Sequence, residues 1–133
     1  MIQELRTSKG GFTLVEIMIV VAIIGLLAAI AVPSFLRARM RAQASTILNE
    51  CRQLDAAKDQ YALENNKTGT VTPAFTDLSP YLKAGSKLAT SAGVDTLGNA
   101  FTIADIQSRL QVAAATKTSL SDAADDTFWG PFS

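Results

Sequence analysis

The chain is 133 residues long and formally neutral, with twelve basic and twelve acidic side chains, so it has no general electrostatic drive toward nucleic acid or anionic surfaces. It contains no histidine, which excludes Ser-His-Asp and Cys-His catalysis and His-based metal sites, and its single cysteine, Cys51, excludes an internal disulfide. This length allows one small domain plus one special segment.

Residues 1–11, MIQELRTSKGG, are polar, carry Arg6 and Lys9, and end in two glycines. An unbroken apolar run follows from Ile17 to Val32. As a helix, residues 12–36 extend about 37 Å, against the roughly 30 Å of a bilayer's hydrocarbon. The expectation is therefore a membrane-spanning helix. A buried core helix would need more mass to cover an all-round apolar surface than this chain supplies. An ordinary secretory signal is the other alternative, but the run is longer than the usual apolar region of one and contains Glu16. An ionised glutamate in a span costs roughly 3 kcal/mol unless it is paired, neutralised or placed at an interface. Glu16 needs a reason to be there.

Gly11-Phe12-Thr13-Leu14-Val15-Glu16, followed by the apolar run, resembles the N-terminal signature of type IV pilins and type II secretion pseudopilins. Gly25 and Pro33 fall where that family usually has Gly and Pro, and the likeness covers about residues 9–36. It implies that residues 1–11 are a prepilin leader, that a prepilin peptidase cuts between Gly11 and Phe12, and that the new Phe12 amine is N-methylated. It further implies a homopolymer built on this helix by an inner-membrane assembly platform with an ATPase. The subunit is then stored in the bacterial inner membrane among its lipids. It ends in an extracellular pilus or a periplasmic pseudopilus. The expected fold class is α+β, with a long N-terminal helix, its first half transmembrane, packed on a small antiparallel β-sheet. The implied function is structural, with no catalytic residue and no cofactor. A pseudopilin of a secretion system is the alternative to a pilus subunit, and a membrane-anchored periplasmic binding protein or enzyme is a third reading.

With Phe12 and Glu16 at i and i+4, the new amine lies within a turn of its own carboxylate or can reach that of a neighbour, so the pair can set register in a filament. Pro33 removes a backbone bond and crowds the carbonyl of Ala29, and Gly25 adds a second weak point. The resemblance suggests that the stretch between them unwinds on assembly; a plain kink is the other reading. Arg37, Arg39 and Arg41 outnumber Arg6 and Lys9 across the span, which on simple counting puts the C-terminal flank in the cytoplasm, whereas the resemblance implies the reverse. These arginines suit lipid head groups before assembly and acids of adjacent subunits afterwards. No interleaved aromatics support binding of nucleic acid, which is not expected as a partner.

Residues 37–65 continue as an amphipathic helix. Leu36, Met40, Ala44, Ile47, Cys51, Leu54, Ala57 and Tyr61 recur at spacings of three or four, drawing one apolar stripe in which Cys51 acts as a small buried hydrophobe. Asn65-Asn66-Lys67-Thr68-Gly69 ends the helix. Residues 66–133 form a small globular region. It begins with a loop holding a helical turn near residues 75–82, pinned by Leu78, Tyr81 and Leu82. Alternation at Phe101–Ile103 and Leu110–Val112 predicts two short strands, and residues 118–124 a short helix. Phe128, Trp129 and Phe132 give the tail an aromatic anchor. Asp122, Asp125 and Asp126 invite a calcium reading, but three loop carboxylates fall short of the six or so oxygens that the ion takes, and a solvated acidic turn explains them as well.

Overall fold

The computed structural model describes residues 10–133 and divides into two compact units, Met1–Phe35 and Leu36–Ser133. The leader expected at residues 1–11 lies, apart from its last two glycines, outside the described residues. Helix α1, Leu14–Glu64, contributes to both units. It is followed by α2 (Phe75–Leu78), a 3-10 turn (Ser79–Tyr81), α3 (Lys87–Thr90), α4 (Ala114–Ser119), α5 (Asp126–Trp129) and a last 3-10 turn (Gly130–Phe132).

In the first unit, α1 is apolar on every face, and every described side chain is exposed. Ile19 is 54% exposed, Leu26 66% and Ile30 70%. The segment is long and apolar enough to cross a membrane. The helix runs through both Gly25 and Pro33 without a break.

The second unit begins with the same helix but is built differently. Ala44, Ile47, Cys51, Leu54 and Ala57 form its buried stripe, meeting Leu78, Leu88, Phe101, Leu110, Val112, Leu120, Trp129 and Phe132 in one core. Met40 and Tyr61 are half-buried at the ends of the stripe, and Leu36 is exposed. The helix stops where the asparagines predict. Asn66 takes a positive φ of 48°, and the Lys67 N–H donates to the Ala62 carbonyl at 3.0 Å, the six-to-one bond that closes a left-handed cap. Tyr81 then ties the first 3-10 turn back to the helix end, its hydroxyl donating to Glu64 at 2.7 Å. Leu78 and Leu82 are buried beside it.

The small antiparallel β-sheet does not form: among the described residues there are only two isolated antiparallel bridges, Val94 with Ala100 and Thr102 with Gln111. The second joins the two segments predicted as strands, with reciprocal N–H to carbonyl bonds of 3.0 Å. The ladder does not continue to Ala100 and Ala113, the next hydrogen-bonding pair, because the Ala113 carbonyl accepts from Lys117 N–H at 3.1 Å where α4 begins, and the outward-facing amides bond other segments. Phe101 N–H donates to the Gly93 carbonyl at 3.0 Å, Val112 N–H to Phe132 at 3.0 Å and Ile106 N–H to Val71 at 3.1 Å. The result is one long helix with short helices and loops in place of an α+β fold. The helix expected over 118–124 also shifts, to Ala114–Ser119, after which residues 120–123 turn.

Loop packing in this unit is tight at Gly93, whose φ is +80° and where a Cβ would lie 2.7 Å from the Phe75 ring, so only glycine fits. The tail closes the core. Trp129 is fully buried, packed edge-to-face with Phe128 at 5.4 Å, and the Arg109 guanidinium lies 5.8 Å from the centre of the Phe132 ring.

Candidate functional site

Gly10 to Thr13 precede α1 without regular structure, and all are exposed. A Cβ placed on Gly10 or Gly11 would meet nothing within 4 Å, so the backbone here is open on all sides. Phe12 is 85% exposed.

Thr13 is the cap residue of the helix. Its backbone N–H donates to the Glu16 carboxylate at 2.9 Å, its hydroxyl donates to the same oxygen at 3.1 Å, and the Glu16 N–H donates to the Thr13 hydroxyl oxygen at 3.2 Å. This is a reciprocal capping box, which satisfies two orphan amides and gives the Glu16 carboxylate polar partners within its own chain. Thr-x-x-Glu before an apolar run is a legible signature of such a box, a signal for Thr13 that the reading of the sequence passed over. Helix α1 starts at Leu14, so in the uncut chain Phe12 sits one residue before the cap, not on a helical face with Glu16. A cut after Gly11 would create its amine one residue from the box.

Arg37, Arg39 and Arg41 are exposed on α1, with the Arg41 guanidinium 6.0 Å from the centre of the Phe128 ring. Asp125 caps α5, its Oδ1 accepting from the Thr127 hydroxyl at 2.7 Å and from the Phe128 N–H at 3.0 Å. Those bonds, and secondarily the Arg41 charge, hold its carboxyl below the usual range. Among the described residues, no group of three or more His, Cys, Asp or Glu side chains is placed to hold a metal ion, so Asp122, Asp125 and Asp126 are not gathered into a calcium cage.

Cys51 is fully buried, and burial, reinforced by Glu50, Asp95 and Asp55, pushes its thiol up to about 12. It is a packing residue and not a reactive thiol. Two buried charges carry no sequence signal of their burial. Lys58 is 1% exposed, and its ammonium donates to the carbonyls of Asp105 (3.1 Å) and Ser108 and pairs with Asp55 at 3.3 Å. Glu50 is 7% exposed and one of its oxygens has no partner. Beyond it, Asp95 Oδ1 accepts from the Leu97 and Asn99 amides, each at 2.9 Å, and its Oδ2 accepts from the Thr116 hydroxyl, which fixes the 95–99 turn.

Residues 6–32 match the family model described as the prokaryotic N-terminal methylation motif. The chain is similar to a type IV major fimbrial protein of Dichelobacter nodosus, 42% identical over 65 residues that cover 49% of this chain and 42% of the relative. It is likewise similar to a type IV major pilin protein of Neisseria gonorrhoeae, 36% identical over 86 residues, covering 60% of this chain and 40% of that one. The type II secretion system core protein G of Klebsiella michiganensis is 37% identical over 65 residues, covering 49% and 46%. The matched stretches therefore span less than half the length of these curated relatives. No solved structure matches the chain.

Proposed function

We propose, for a chain that carries the N-terminal methylation motif of the type IV pilin and type II secretion pseudopilin family, that it is a structural filament subunit of a type IV pilus. The observation that carries this reading is the first unit: an apolar helix with every described side chain uncovered, headed by a capped glutamate inside the methylation motif. Each uncovered Leu, Ile or Val forgoes about 1.5–3 kcal/mol relative to burial, so the segment needs lipid first and other copies of itself afterwards. A prepilin peptidase cuts between Gly11 and Phe12, and the Phe12 amine is methylated. The positive charge created there neutralises Glu16 within the subunit or on a neighbour, which fixes register where an unpaired charge is costly. Gly25 and Pro33 mark the stretch that yields when subunits pack. An inner-membrane platform with an ATPase drives the assembly, and the filament stands outside the cell.

The split of the relatives between type IV major pilins and secretion core protein G favours a second reading, in which the subunit builds a periplasmic pseudopilus for secretion. Deleting the gene and assaying surface fibres and secreted enzymes separately decides between the two. Loss of fibres with normal secretion is expected, and the opposite pattern makes it a pseudopilin. For the register mechanism, Glu16→Ala is expected to be cut normally yet to lose competition with the unaltered chain for entry into filaments. Equal incorporation would remove Glu16 from the mechanism.

A further inference from the structure

We propose that a mixed-charge groove in the second unit binds the head group of a zwitterionic phospholipid, with the phosphate against Arg37 and Arg41 and a primary ammonium against Asp122 and Asp125. One part of the groove, of about 290 Å³, is lined by Arg37, Ala38, Arg41, Asp122 and Ala123. A second part, of about 230 Å³, shares Arg41, Asp122 and Ala123 with it and adds Asp125 and Phe128.

Arg37 and Arg41 are i and i+4 on α1 and so stand one above the other on one face. Both are exposed, as are Asp122 and Asp125. Although both signs line one groove, none of the four forms an ion pair within 4.0 Å among the described residues, where such pairs join Lys58 and Arg109 to Asp55. The walls are nonetheless pre-placed. Arg41 lies over the Phe128 ring at 6.0 Å, and Asp125 is fixed by two bonds that both fall on Oδ1, so Oδ2 keeps its accepting capacity.

Two cations beside two anions, left unpaired, make a site that is neutral overall and polar within. An anionic head group would gain from the arginines and lose to the aspartates, whereas a neutral zwitterion satisfies both at once. Guanidinium groups pair with phosphate through parallel donors, and a primary ammonium offers three donors to carboxylates, which the trimethylated nitrogen of choline cannot. Arg37 directly follows Leu36, the last residue of the apolar segment. In the membrane reading of residues 12–36, on which this inference rests, the helix wall of the groove begins at head-group level.

The test is native mass spectrometry of the full chain in mild detergent, with phosphatidylethanolamine, phosphatidylglycerol and phosphatidylcholine of matched acyl chains competing for it. Phosphatidylethanolamine is expected to be retained about fivefold over phosphatidylglycerol, the ratio that two exposed charge pairs supply. Phosphatidylcholine is expected to fall below phosphatidylethanolamine. Asp122→Asn with Asp125→Asn should move the preference to phosphatidylglycerol, and Arg37→Gln with Arg41→Gln should abolish it. Equal retention by the unaltered chain, or a preference that neither pair of substitutions moves, overturns the proposal. Substitutions that alter self-association but not lipid retention make the groove a contact between copies, which also overturns it. Retention of no lipid at all overturns the groove, while recovery of the chain in the soluble fraction after alkaline extraction of membranes would sink the membrane reading, so failure of the groove alone is told apart from failure of the premise.

Discussion

The two stretches of α1 on either side of Leu36 share a backbone conformation and little else. Over residues 14–35 the side chains are apolar on nearly all faces and none is buried; over residues 36–64 they are sorted, with Ala44, Ile47, Cys51, Leu54 and Ala57 buried, joined by Glu50 and Lys58, and the arginines, Gln53, Asp59 and Gln60 exposed. The second stretch has found its partner within the chain. The first has not, and a helix that leaves this much apolar surface uncovered is specified for surroundings the subunit does not itself supply. The contrast separates residues that hold the fold from residues whose partners lie outside the chain, and substitutions should respect it.

The sharpest form of the contrast compares two aliphatic truncations on one helix. Leu54→Ala removes a fully buried side chain and is expected to cost about 3 kcal/mol in unfolding of the full chain in detergent, followed by circular dichroism. Ile24→Ala, at a position 59% exposed, should stay within about 0.5 kcal/mol. Similar losses at both positions would mean that the apolar half is packed after all. Next comes Lys58→Met, which keeps the stem but leaves the Ser108 carbonyl without its donor, the Asp105 carbonyl with only the Ser108 amide, and Asp55 with only Arg109 at 3.9 Å. A loss of about 2–3 kcal/mol in the same measurement is expected, because buried polar groups are costly to orphan.

How far this division was legible beforehand differs from residue to residue. Spacings of three and four picked out the stripe from Ala44 to Ala57, and the asparagines marked the helix end, because both signals are local. The methylation motif around Gly11–Glu16 and the apolar run behind it were equally plain. What escaped was set by distant partners. Lys58 is buried because carbonyls 47 and 50 residues away receive its ammonium, a pairing no local pattern announces. The alternation at Phe101–Ile103 and Leu110–Val112 correctly brought Thr102 and Gln111 together, but no sheet grew, since the Ala113 carbonyl that would carry the ladder on is taken by Lys117 N–H at the start of α4. Thr13 is the opposite case, a local capping signature in plain view whose role emerges only with the Glu16 bonds.

Two smaller effects sharpen the comparison at each end. Thr13→Ala leaves Gly11, Phe12 and Glu16 in place while removing one half of the capping box. The loss should be about 1 kcal/mol, read as roughly fivefold faster amide exchange in the first turn of α1 with no change in the second unit. In the second unit, Glu50 has its carboxyl raised above the ordinary 4.5, chiefly by burial and then by Asp95, with Lys87 and the Thr96 amide opposing. The folded state therefore holds that proton more tightly than the unfolded chain. Its ionised form costs stability at neutral pH, and that cost is relieved as pH falls through the raised value toward 4.5. Asp105 and Asp125 are lowered, so their contributions are lost only further down, outside this window. Unfolding followed from neutral pH toward 4.5 should show Glu50 adding a rise in stability that Glu50→Gln removes; superimposable profiles would refute the assignment.

All of this leaves the N-terminus as the place where the functional account stands or falls, because in the proposed function processing there would convert Glu16 from a capped side chain into one half of an assembly contact. The most direct measurement is the mass of the N-terminal peptide of the chain isolated from the membranes of a bacterium that has a prepilin peptidase. The account predicts a peptide beginning at Phe12 and carrying a methyl group on its amine. A peptide that still begins at Met1 in the membrane-embedded chain would contradict it.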